Sequence, residues 1–461
     1  YSVNASTGLI DYVVHPRGNR TDYTYDGNLN LLELRHRTAN TGTNASTDIV
    51  HSWQYGVYGQ PSRYTDPRGN ITTYTLDALG NTTQISHPTV TSPASQTVTE
   101  TFTYDTAGRR LTATDGAGRS VAFAYYTSGV QRGYLQTVIR DPSPGLALTT
   151  TCTYDQYGNV LSVQDPRSNT TTMTVDAENF VTEIQAPSPL GYRRRFTYDE
   201  NRSVTKVETE NIDRKGVQDS TYPWIDTRFE YDTLGRLLVK KVRTGTGGVA
   251  KTQYEYDGSG SLTEITHPEG NVDQFTWDER HLLFEATRGV GTAEETTSTF
   301  DFDLNGNLVT ATDGRSNAST FEYDLFDRRT RAINALLHYV QFTYDKNGHR
   351  TVVEAFDSSN VLQARTTNSC DEVNRLWKVQ QDRIGPGLST TYPSTIFTRD
   401  RGHLLTQVQD PLTNTTTFGY DTAGRRTTVT DAFGNFQTYT LDANGNVLQI
   451  DDTQVPASGP N

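Results

Sequence analysis

The sequence is poor in the residues that build large cores and cross-linked folds. Hydrophobic residues make up 33% of its 461 positions, and it contains two cysteines and one methionine. Cys152 and Cys370 are too few for a disulfide framework and lack the CxxC spacing of zinc sites, so we interpret both as packed residues. No apolar run approaches the roughly 20 residues that a membrane-spanning helix needs.

The sequence also has fewer basic residues than acidic residues. The chain has 41 Lys and Arg residues against 54 Asp and Glu residues, which gives a formal net charge of −13. A chain of this charge is repelled on average by nucleic acid and by anionic membranes. We therefore expect neither nucleic acid as a partner nor insertion into a membrane.

Aromatic residues, in contrast, are plentiful. They make up 10% of the chain, with 26 tyrosines. Disordered segments are poor in aromatic and β-branched residues, so the chain is expected to be ordered despite its small hydrophobic content. A thin β structure rich in Thr and Tyr fits this composition best.

A repeat runs through the whole sequence. The peptide "YDTAGRR" occurs at 104–110 and again at 420–426, and related forms define nineteen units. The Tyr of Tyr-Asp, or its substitute, lies at Val3, Tyr25, Tyr55, Leu76, Tyr104, Tyr125, Tyr154, Val175, Tyr198, Tyr231, Tyr256, Trp277, Phe302, Tyr323, Tyr344, Cys370, Arg399, Tyr420 and Leu441. Eight of the eighteen spacings between these anchors are 21 residues, which is the mark of a repeat architecture.

Each unit reads as a β-hairpin. An aromatic residue lies two positions before the anchor in sixteen of nineteen units, which predicts a strand with both side chains on one face. The Asp after the anchor can accept local backbone N–H groups, and a Gly three positions later can adopt the left-handed conformation of a turn. The clearest predicted turns are Tyr104, Asp105 and Gly108; Tyr154, Asp155 and Gly158; Tyr231, Asp232 and Gly235; Tyr344, Asp345 and Gly348; and Tyr420, Asp421 and Gly424.

A second strand and a second turn complete the unit. Apolar residues seven and nine positions past the anchor predict the return strand, and motifs such as "DPRGN" at Asp66 and "DAFGN" at Asp431 predict the second turn. A lone hairpin is marginal in water, so the units must pair with their neighbours. The fold class is therefore all-β: an antiparallel hairpin ribbon of about 38 strands, coiled into a hollow shell, barrel or solenoid because wide sheets cannot stay flat.

The repeat also resembles a known family. The pattern [FY]-x-Y-D-x-x-G-[RN] followed by D-P-x-G-N resembles the YD repeat of the rearrangement-hotspot (Rhs) family, which includes components B and C of insecticidal toxin complexes and the extracellular part of teneurins. The resemblance covers essentially all of residues 1–461, which we treat as a single array excised from a larger polypeptide. It implies a β-ribbon that spirals into a hollow shell, which encloses a toxin in some members and belongs to an adhesion receptor in others. The sequence contains no segment of the "DPxGL" type used for self-cleavage.

The polar residues do not form a catalytic pattern. The recurring aspartates occur in sixteen of nineteen units, which is typical of turn capping rather than of acid–base catalysis. "DLNGN" at Asp303 and "DANGN" at Asp442 begin like a calcium loop but lack the Glu at its twelfth position. His15, His87 and His267 take the Asp position of second turns, so we interpret them as turn residues. We expect no enzyme, catalytic residue, cofactor or metal.

Three functions remain open at this stage. The leading one is a non-enzymatic, extracellular bacterial structural protein, a shell or fibre segment; the nine Asn-x-Ser/Thr sequons suit such a chain. The alternatives are a toxin-encapsulating shell and an adhesin or carbohydrate-binding module that uses aromatics such as Trp224. The terminal units follow the internal pattern, with Tyr1 and Val3 at one end and Leu448 and Ile450 at the other. We expect their edge strands to pair with flanking parts of the same polypeptide or with further copies of the chain, and glycans are a further candidate partner.

Overall fold

The computed structural model describes residues 1–38, 40, 42–213, 215–243, 248–383 and 393–455. All of its regular elements are strands. They are β1 (Ser2–Val3), β2 (Ile10–Val14), β3 (Arg20–Tyr25), β4 (Leu31–Arg37), β5 (Ile49–Tyr55), β6 (Pro61–Thr65), β7 (Ile71–Leu76), β8 (Thr82–Ser86), β9 (Thr99–Tyr104), β10 (Arg110–Thr114), β11 (Ser120–Tyr125), β12 (Leu135–Arg140), β13 (Leu148–Tyr154), β14 (Val160–Gln164), β15 (Thr170–Val175), β16 (Val181–Gln185), β17 (Arg193–Tyr198), β18 (Val204–Glu210), β19 (Trp224–Tyr231) and β20 (Leu237–Arg243). The remainder are β21 (Val249–Tyr256), β22 (Leu262–Thr266), β23 (Val272–Trp277), β24 (Leu283–Arg288), β25 (Thr296–Phe302), β26 (Leu308–Thr312), β27 (Ala318–Tyr323), β28 (Arg329–Ile333), β29 (Tyr339–Tyr344), β30 (Arg350–Phe356), β31 (Leu362–Cys370), β32 (Leu376–Arg383), β33 (Ser394–Arg399), β34 (Leu405–Gln409), β35 (Thr415–Tyr420), β36 (Arg426–Thr430), β37 (Phe436–Leu441) and β38 (Val447–Thr453).

The strands form one antiparallel meander. Each strand pairs with the next along the chain, from β1 with β2 to β37 with β38, and all 38 belong to one sheet. Within the described residues the sheet is not closed, because β1 and β38 each have a single neighbour there. The predicted all-β hairpin ribbon is therefore confirmed. None of the described residues forms a helix that could cross a membrane.

Two kinds of hairpin alternate along the ribbon. We call the turn after an anchor the YD turn; it joins each odd-numbered strand to the following even-numbered one, and the second turn joins that strand to the next unit. Every pair joined by a YD turn has a register shift beside the anchor: Tyr104 faces Arg110 but Thr103 faces Thr112, which leaves Leu111 as the extra residue of a bulge. Pairs joined by second turns, such as β10 and β11, run in even register, with the exception of β30 and β31, which shift beside Phe356. Because a bulge bends its strand and increases twist, this one-sided series curves the ribbon.

The ribbon has little core. The buried hydrophobic residues among those described are Val90, Val98 and Tyr339. Along most strands the exposure alternates instead: in β21 the side chains of Tyr254 and Tyr256 are half-buried and those of the intervening positions are exposed. One face of the ribbon is therefore better covered than the other, in agreement with the low hydrophobic content of the sequence.

The curved ribbon winds past itself. Hydrogen bonds join turns that lie 279 to 310 positions apart along the chain. The turn after the seventh hairpin, at Asp165, lies against the YD turn of the nineteenth, at Asp442, so one winding holds about twelve units. With strands about 4.8 Å apart, a winding has a circumference of about 115 Å and a diameter of roughly 37 Å. The protein is a spiral in which an upper winding lies on a lower one.

Candidate functional site at the turns and the seam

The YD turn is a closed hydrogen-bonded unit. In the turn of β9 and β10, the amides of Ala107 and Arg109 each donate to Oδ1 of Asp105 at 2.9 Å, and Nε of Arg109 donates to Oδ2 at 2.7 Å. The amide of Gly108 donates to the Asp105 carbonyl at 3.0 Å. Gly108 has a φ of 78°, which a β-branched residue adopts only with strain. The aspartate thus fixes the turn, and the glycine allows its closure.

The other predicted turn residues take the same places. The positive-φ glycines are Gly158, Gly235, Gly348 and Gly424, and the aspartates that accept from their own turns are Asp155, Asp232, Asp345 and Asp421. The residue after the glycine varies, and Asn159, Arg236, His349 and Arg425 each contact the second carboxylate oxygen. All of these carboxylates are engaged in their turns.

The anchor tyrosines do more than cover one face of the sheet. The hydroxyl of Tyr420 donates to the carbonyl of Leu405 at 2.7 Å, at the start of the return strand of the preceding unit. Tyr104, Tyr231 and Tyr344 make the equivalent bond to Thr82, Val204 and Arg329. Among the described residues the hydroxyl of Tyr154 makes no such bond to a return strand, and the ring of Tyr154 packs against Tyr126 and Tyr134. An anchor tyrosine that makes this bond therefore ties its unit to the one before it.

The turn bonds also lower aspartate pKa values. Hydrogen bonds from the amide and the guanidinium of Arg109 hold the pKa of Asp105 below its ordinary value, and the side-chain amide of Asn159 does the same for Asp155. A carboxylate with a lowered folded-state pKa stabilises the fold above its unfolded-state value of about 3.9, and this contribution is lost as the pH falls through the folded-state pKa. The turns are therefore expected to hold until the solution is strongly acidic.

The two windings meet along a line of turns that we call the seam. Its lower side consists of the second turns at His15–Asn19, Asp66–Asn70, 87–98, Asp115–Arg119, 141–147 and Asp165–Asn169. Its upper side consists of the YD turns that begin at Asp303, Asp324, Asp345, Asp371, Asp400, Asp421 and Asp442. The described bonds across the seam all involve a side chain, and the strands of the two windings do not pair.

Arginine in a Pro-Arg dipeptide recurs at the seam. Arg68 donates to the carbonyls of Cys370 and Asp371 at 3.1 and 2.9 Å. Arg17 makes the same pair of bonds to Tyr323 and Asp324, at 3.2 and 2.9 Å. In both cases the guanidinium reaches the end of an anchor strand and the first carbonyl of its YD turn. The second turn of one winding thus recognises the YD turn of the next.

A charged contact lies midway along the seam. Nη1 of Arg119 lies 2.6 Å from Oδ2 of Asp400 in the upper winding, and Nη2 lies 2.8 Å from Asp115 in its own turn. The contact is close enough to require glycine: a Cβ on Gly116 would lie 2.5 Å from the carbonyl oxygen of Arg401. The Asp400 carboxylate raises the pKa of the Arg119 guanidinium. This ion pair therefore holds the windings in close approach.

Histidines gather in a cleft at the seam. The cleft has a volume of about 500 Å³ and is lined by His15, His36 and His51 of the lower winding and by Arg328 and Lys346 of the upper one. The rings of His36 and His51 lie edge to face with their centroids 6.4 Å apart. Burial and the charges of His51 and His15 lower the pKa of His36, and burial lowers the pKa of His51 against the opposing charge of Asp66.

The remaining candidates from the sequence are Trp224, the two cysteines and possible metal ligands. Guanidinium groups of Arg193 and Arg195 lie over the Trp224 ring, 5.5 and 4.3 Å from its centroid. Cys152 and Cys370 are half-buried free thiols. In the described part of the chain no three His, Cys, Asp or Glu side chains are placed to hold a metal ion.

The contact between the windings at the seam was not predicted from the sequence. The signal was present, because "HPRGN" at His15, "DPRGN" at Asp66 and "DPRSN" at Asp165 share the Pro-Arg dipeptide. In the third motif Nη1 of Arg167 lies 3.0 Å from Asp442 of the upper winding. The motif alone could not show the partner, because which YD turn lies opposite depends on the curvature summed over a whole winding.

Known proteins share this repeat and this fold. The RHS repeat family model matches residues 57–89, 231–272, 302–336 and 399–435. A crystal structure of TcdB2-TccC3-Cdc42 aligns with a TM-score of 0.56 at 13% identity, covering 95% of this chain and 28% of that chain. A structure of TcdB2-TccC3-TEV gives 0.48 at 13% identity, over 95% of this chain and 27% of that one. The Photorhabdus luminescens Tc holotoxin pore gives 0.32 at 14% identity, over 94% and 28%. The first likeness shows a shared fold, and the four matched segments show that the chain contains RHS repeats.

Proposed function

We propose that this chain is a wall segment of a hollow, non-enzymatic RHS-repeat shell that works outside the cell. The observation that carries the proposal is the seam, where second turns of one winding bind YD turns of the next. A ribbon that recognises itself once per winding builds a continuous wall around a central space. The function of such a wall depends on its shape.

The polar groups of the repeat support a structural role. The recurring aspartates, as at Asp105 and Asp400, have their oxygens engaged by turn amides or by arginines of their own or the neighbouring winding. A general acid or base needs a carboxyl group that can reach a substrate proton. Carboxylates that are locked into turns are suited to shaping the wall.

A toxin-enclosing capsule is the second candidate function. It is favoured by the fold shared with TcdB2-TccC3-Cdc42 over 95% of this chain. Because the chain spans 28% of that neighbour's length, the capsule would need further wall beyond the present segment. Reading the coding region past Asn461 tests this candidate, and a cargo domain downstream would favour it over a purely structural shell or fibre.

Electron microscopy of the purified protein tests the wall itself. We expect particles in which a spiral of about one and a half windings surrounds an empty centre, with a winding diameter of roughly 37 Å from strands about 4.8 Å apart. A flat or extended ribbon, or a compact particle with a filled centre, would contradict the proposal. Continuation of the wall by further copies of the chain would appear as filaments of the same cross-section.

A further inference from the structure

Histidines are concentrated where the two windings meet. Of the nine histidines in the chain, six lie at the seam: His15, His36 and His51 form one group in the cleft described above, His87 and His403 form a second group, and His349 is held in its own turn with Nδ1 3.1 Å from Oδ2 of Asp345. Imidazole is the side chain whose ordinary titration range falls between pH 5 and 8. The seam therefore contains a concentration of the side-chain type that most often responds to mild changes of pH.

In the first group the rings are held by hydroxyl groups. The hydroxyl of Thr21 lies 3.0 Å from Nε2 of His15 and 3.1 Å from Nδ1 of His36, so it bridges the two rings. Nδ1 of His51 lies 2.8 Å from the hydroxyl of Tyr64. A neutral ring accepts the proton of such a hydroxyl, whereas a protonated ring can only donate. The Tyr64 hydroxyl can donate to Nδ1 of His51 or accept from it, so this bond fixes the position of the ring in either charge state.

The charges that face this group are mixed. Arg328 and Lys346 come from the upper winding; the Arg328 guanidinium is paired with Asp324 at 2.7 Å, whereas the Lys346 ammonium makes no hydrogen bond or ion pair among the described residues. Asp327 also lines the cleft but is paired with Arg17 at 3.1 Å, and Asp66 binds the side chain of Asn347. The nearby carboxylates thus have partners already, and new positive charge on the histidines would face the ammonium of Lys346 in the opposite winding.

The second group repeats this arrangement at another point of the seam. His87, from the lower winding, and His403, from the upper one, lie edge to face with ring centroids 6.4 Å apart. Nη1 of Arg375 lies 3.5 Å from Nδ1 of His403, while Arg375 is paired with Asp371 at 2.7 Å. Glu100 lies 2.9 Å from Nε2 of His87 and is the facing carboxylate. Protonation of His403 would therefore place a positive charge beside the guanidinium of Arg375.

We propose that the seam is an acid-sensitive closure, in which mild acidification separates the two windings while the strands within each winding stay paired. The described bonds between the windings all involve a side chain, so the windings can part without breaking a strand ladder. The strand ladders and the YD turns depend on backbone hydrogen bonds and on aspartates, which titrate at much lower pH. The two kinds of contact therefore fail in different pH ranges.

The lowered pKa values of the histidines determine how the stability of the closed seam changes with pH. Burial is the main cause that lowers the pKa of His36, His51 and His403, and Arg375 and His87 lower that of His403 further. Rings freed by separation of the windings recover the ordinary value of about 6.5 and bind more protons. The closed seam is thus fully stable above about pH 6.5 and loses stability as the pH falls from there towards the lowered values. The turn aspartates respond only near and below about pH 3.9.

Small-angle X-ray scattering and far-UV circular dichroism of the whole chain, followed from pH 8 to pH 4.5, test the proposal. We expect the radius of gyration to rise with a midpoint between about pH 6.5 and 5, with the β spectrum unchanged. A radius that stays constant over this range would overturn the proposal. So would an expansion that is accompanied by loss of the β spectrum.

Histidine variants test whether these imidazole rings cause the acid expansion. In a chain carrying His36→Gln, His51→Gln and His403→Gln the neutral-pH radius should be kept and the expansion should shift down by about one pH unit or more. His281→Gln with His338→Gln, at two exposed turns away from the clefts, should expand like the unchanged chain. If the triple variant does not fold, histidine NMR of the unchanged chain decides: rings that titrate outside the expansion range would overturn the proposal. An unchanged midpoint in a folded triple variant would also overturn it.

Discussion

The contacts within a winding and the contacts between windings differ in kind. Within a winding every strand is joined to the next by a ladder of backbone hydrogen bonds, so pairing depends little on which side chains are present. Across the seam the bonds come from individual side chains such as Arg17, Arg68 and Arg119. The repeat can therefore vary widely and still form a ribbon, whereas the winding rests on a few positions.

This difference explains where the repeat is strict. The Asp and the positive-φ residue of the YD turn recur because each hairpin must close before its strands can pair. The arginine of the second turn is needed only where another winding lies against it. Arg68 crosses the seam, whereas the side chain of Arg315, at the same motif position, makes no hydrogen bond or ion pair among the described residues.

The largest effect is expected inside a winding, from Gly235→Val. Gly235 has a φ of 79° and no atom within 4 Å of its would-be Cβ, so the cost is backbone strain, on the order of 1–3 kcal/mol. Thermal melts should show a clearly lowered midpoint. Gly258→Val is the matched control, because Gly258 also has open space and lacks a positive φ. Equal losses in the two variants would show that the YD turn does not need its left-handed residue.

A smaller effect is expected at the seam, from Arg68→Ala. The change removes two bonds to upper-winding carbonyls and should destabilise the seam by about 1–2 kcal/mol. Scattering should show a larger radius of gyration at neutral pH or a higher midpoint for the acid expansion. Arg315→Ala, at the equivalent motif position, should change neither quantity. A seam unaffected by Arg68→Ala would mean that the Pro-Arg turns do not join the windings.

The smallest effect is expected from Tyr420→Phe. The change removes one hydrogen bond, 2.7 Å long, to the carbonyl of Leu405 and keeps the ring, so it should cost about 1 kcal/mol. Tyr157, which is 70% exposed and whose hydroxyl has no hydrogen bond in the described structure, supplies the control Tyr157→Phe. Chemical denaturation should separate the two variants. Identical midpoints would show that the anchor hydroxyl does not help to join successive units.

Local features of the fold could be predicted from the sequence, and long-range ones could not. The strand that ends at Tyr104 and the turn at Asp105 and Gly108 follow from alternation and turn chemistry within seven residues. The bulge at Leu111 carries no distinctive residue type, and the curvature that it contributes is small in any one unit. Only the sum over about twelve units brings Arg119 to Asp400, 281 positions away. The histidine cleft escaped prediction for the same reason.

The central claim is that the ribbon winds back onto itself, and electron spin resonance distances test it most directly. Spin labels at Ala117→Cys and Arg401→Cys, both exposed and on opposite sides of the seam, would be compared with labels at Ala117→Cys and Leu234→Cys, with Cys152 and Cys370 replaced by Ser. We predict a narrow, short distance for positions 117 and 401 and a longer one for 117 and 234, although 234 is much closer in sequence. The opposite order would show an unwound ribbon and contradict the account.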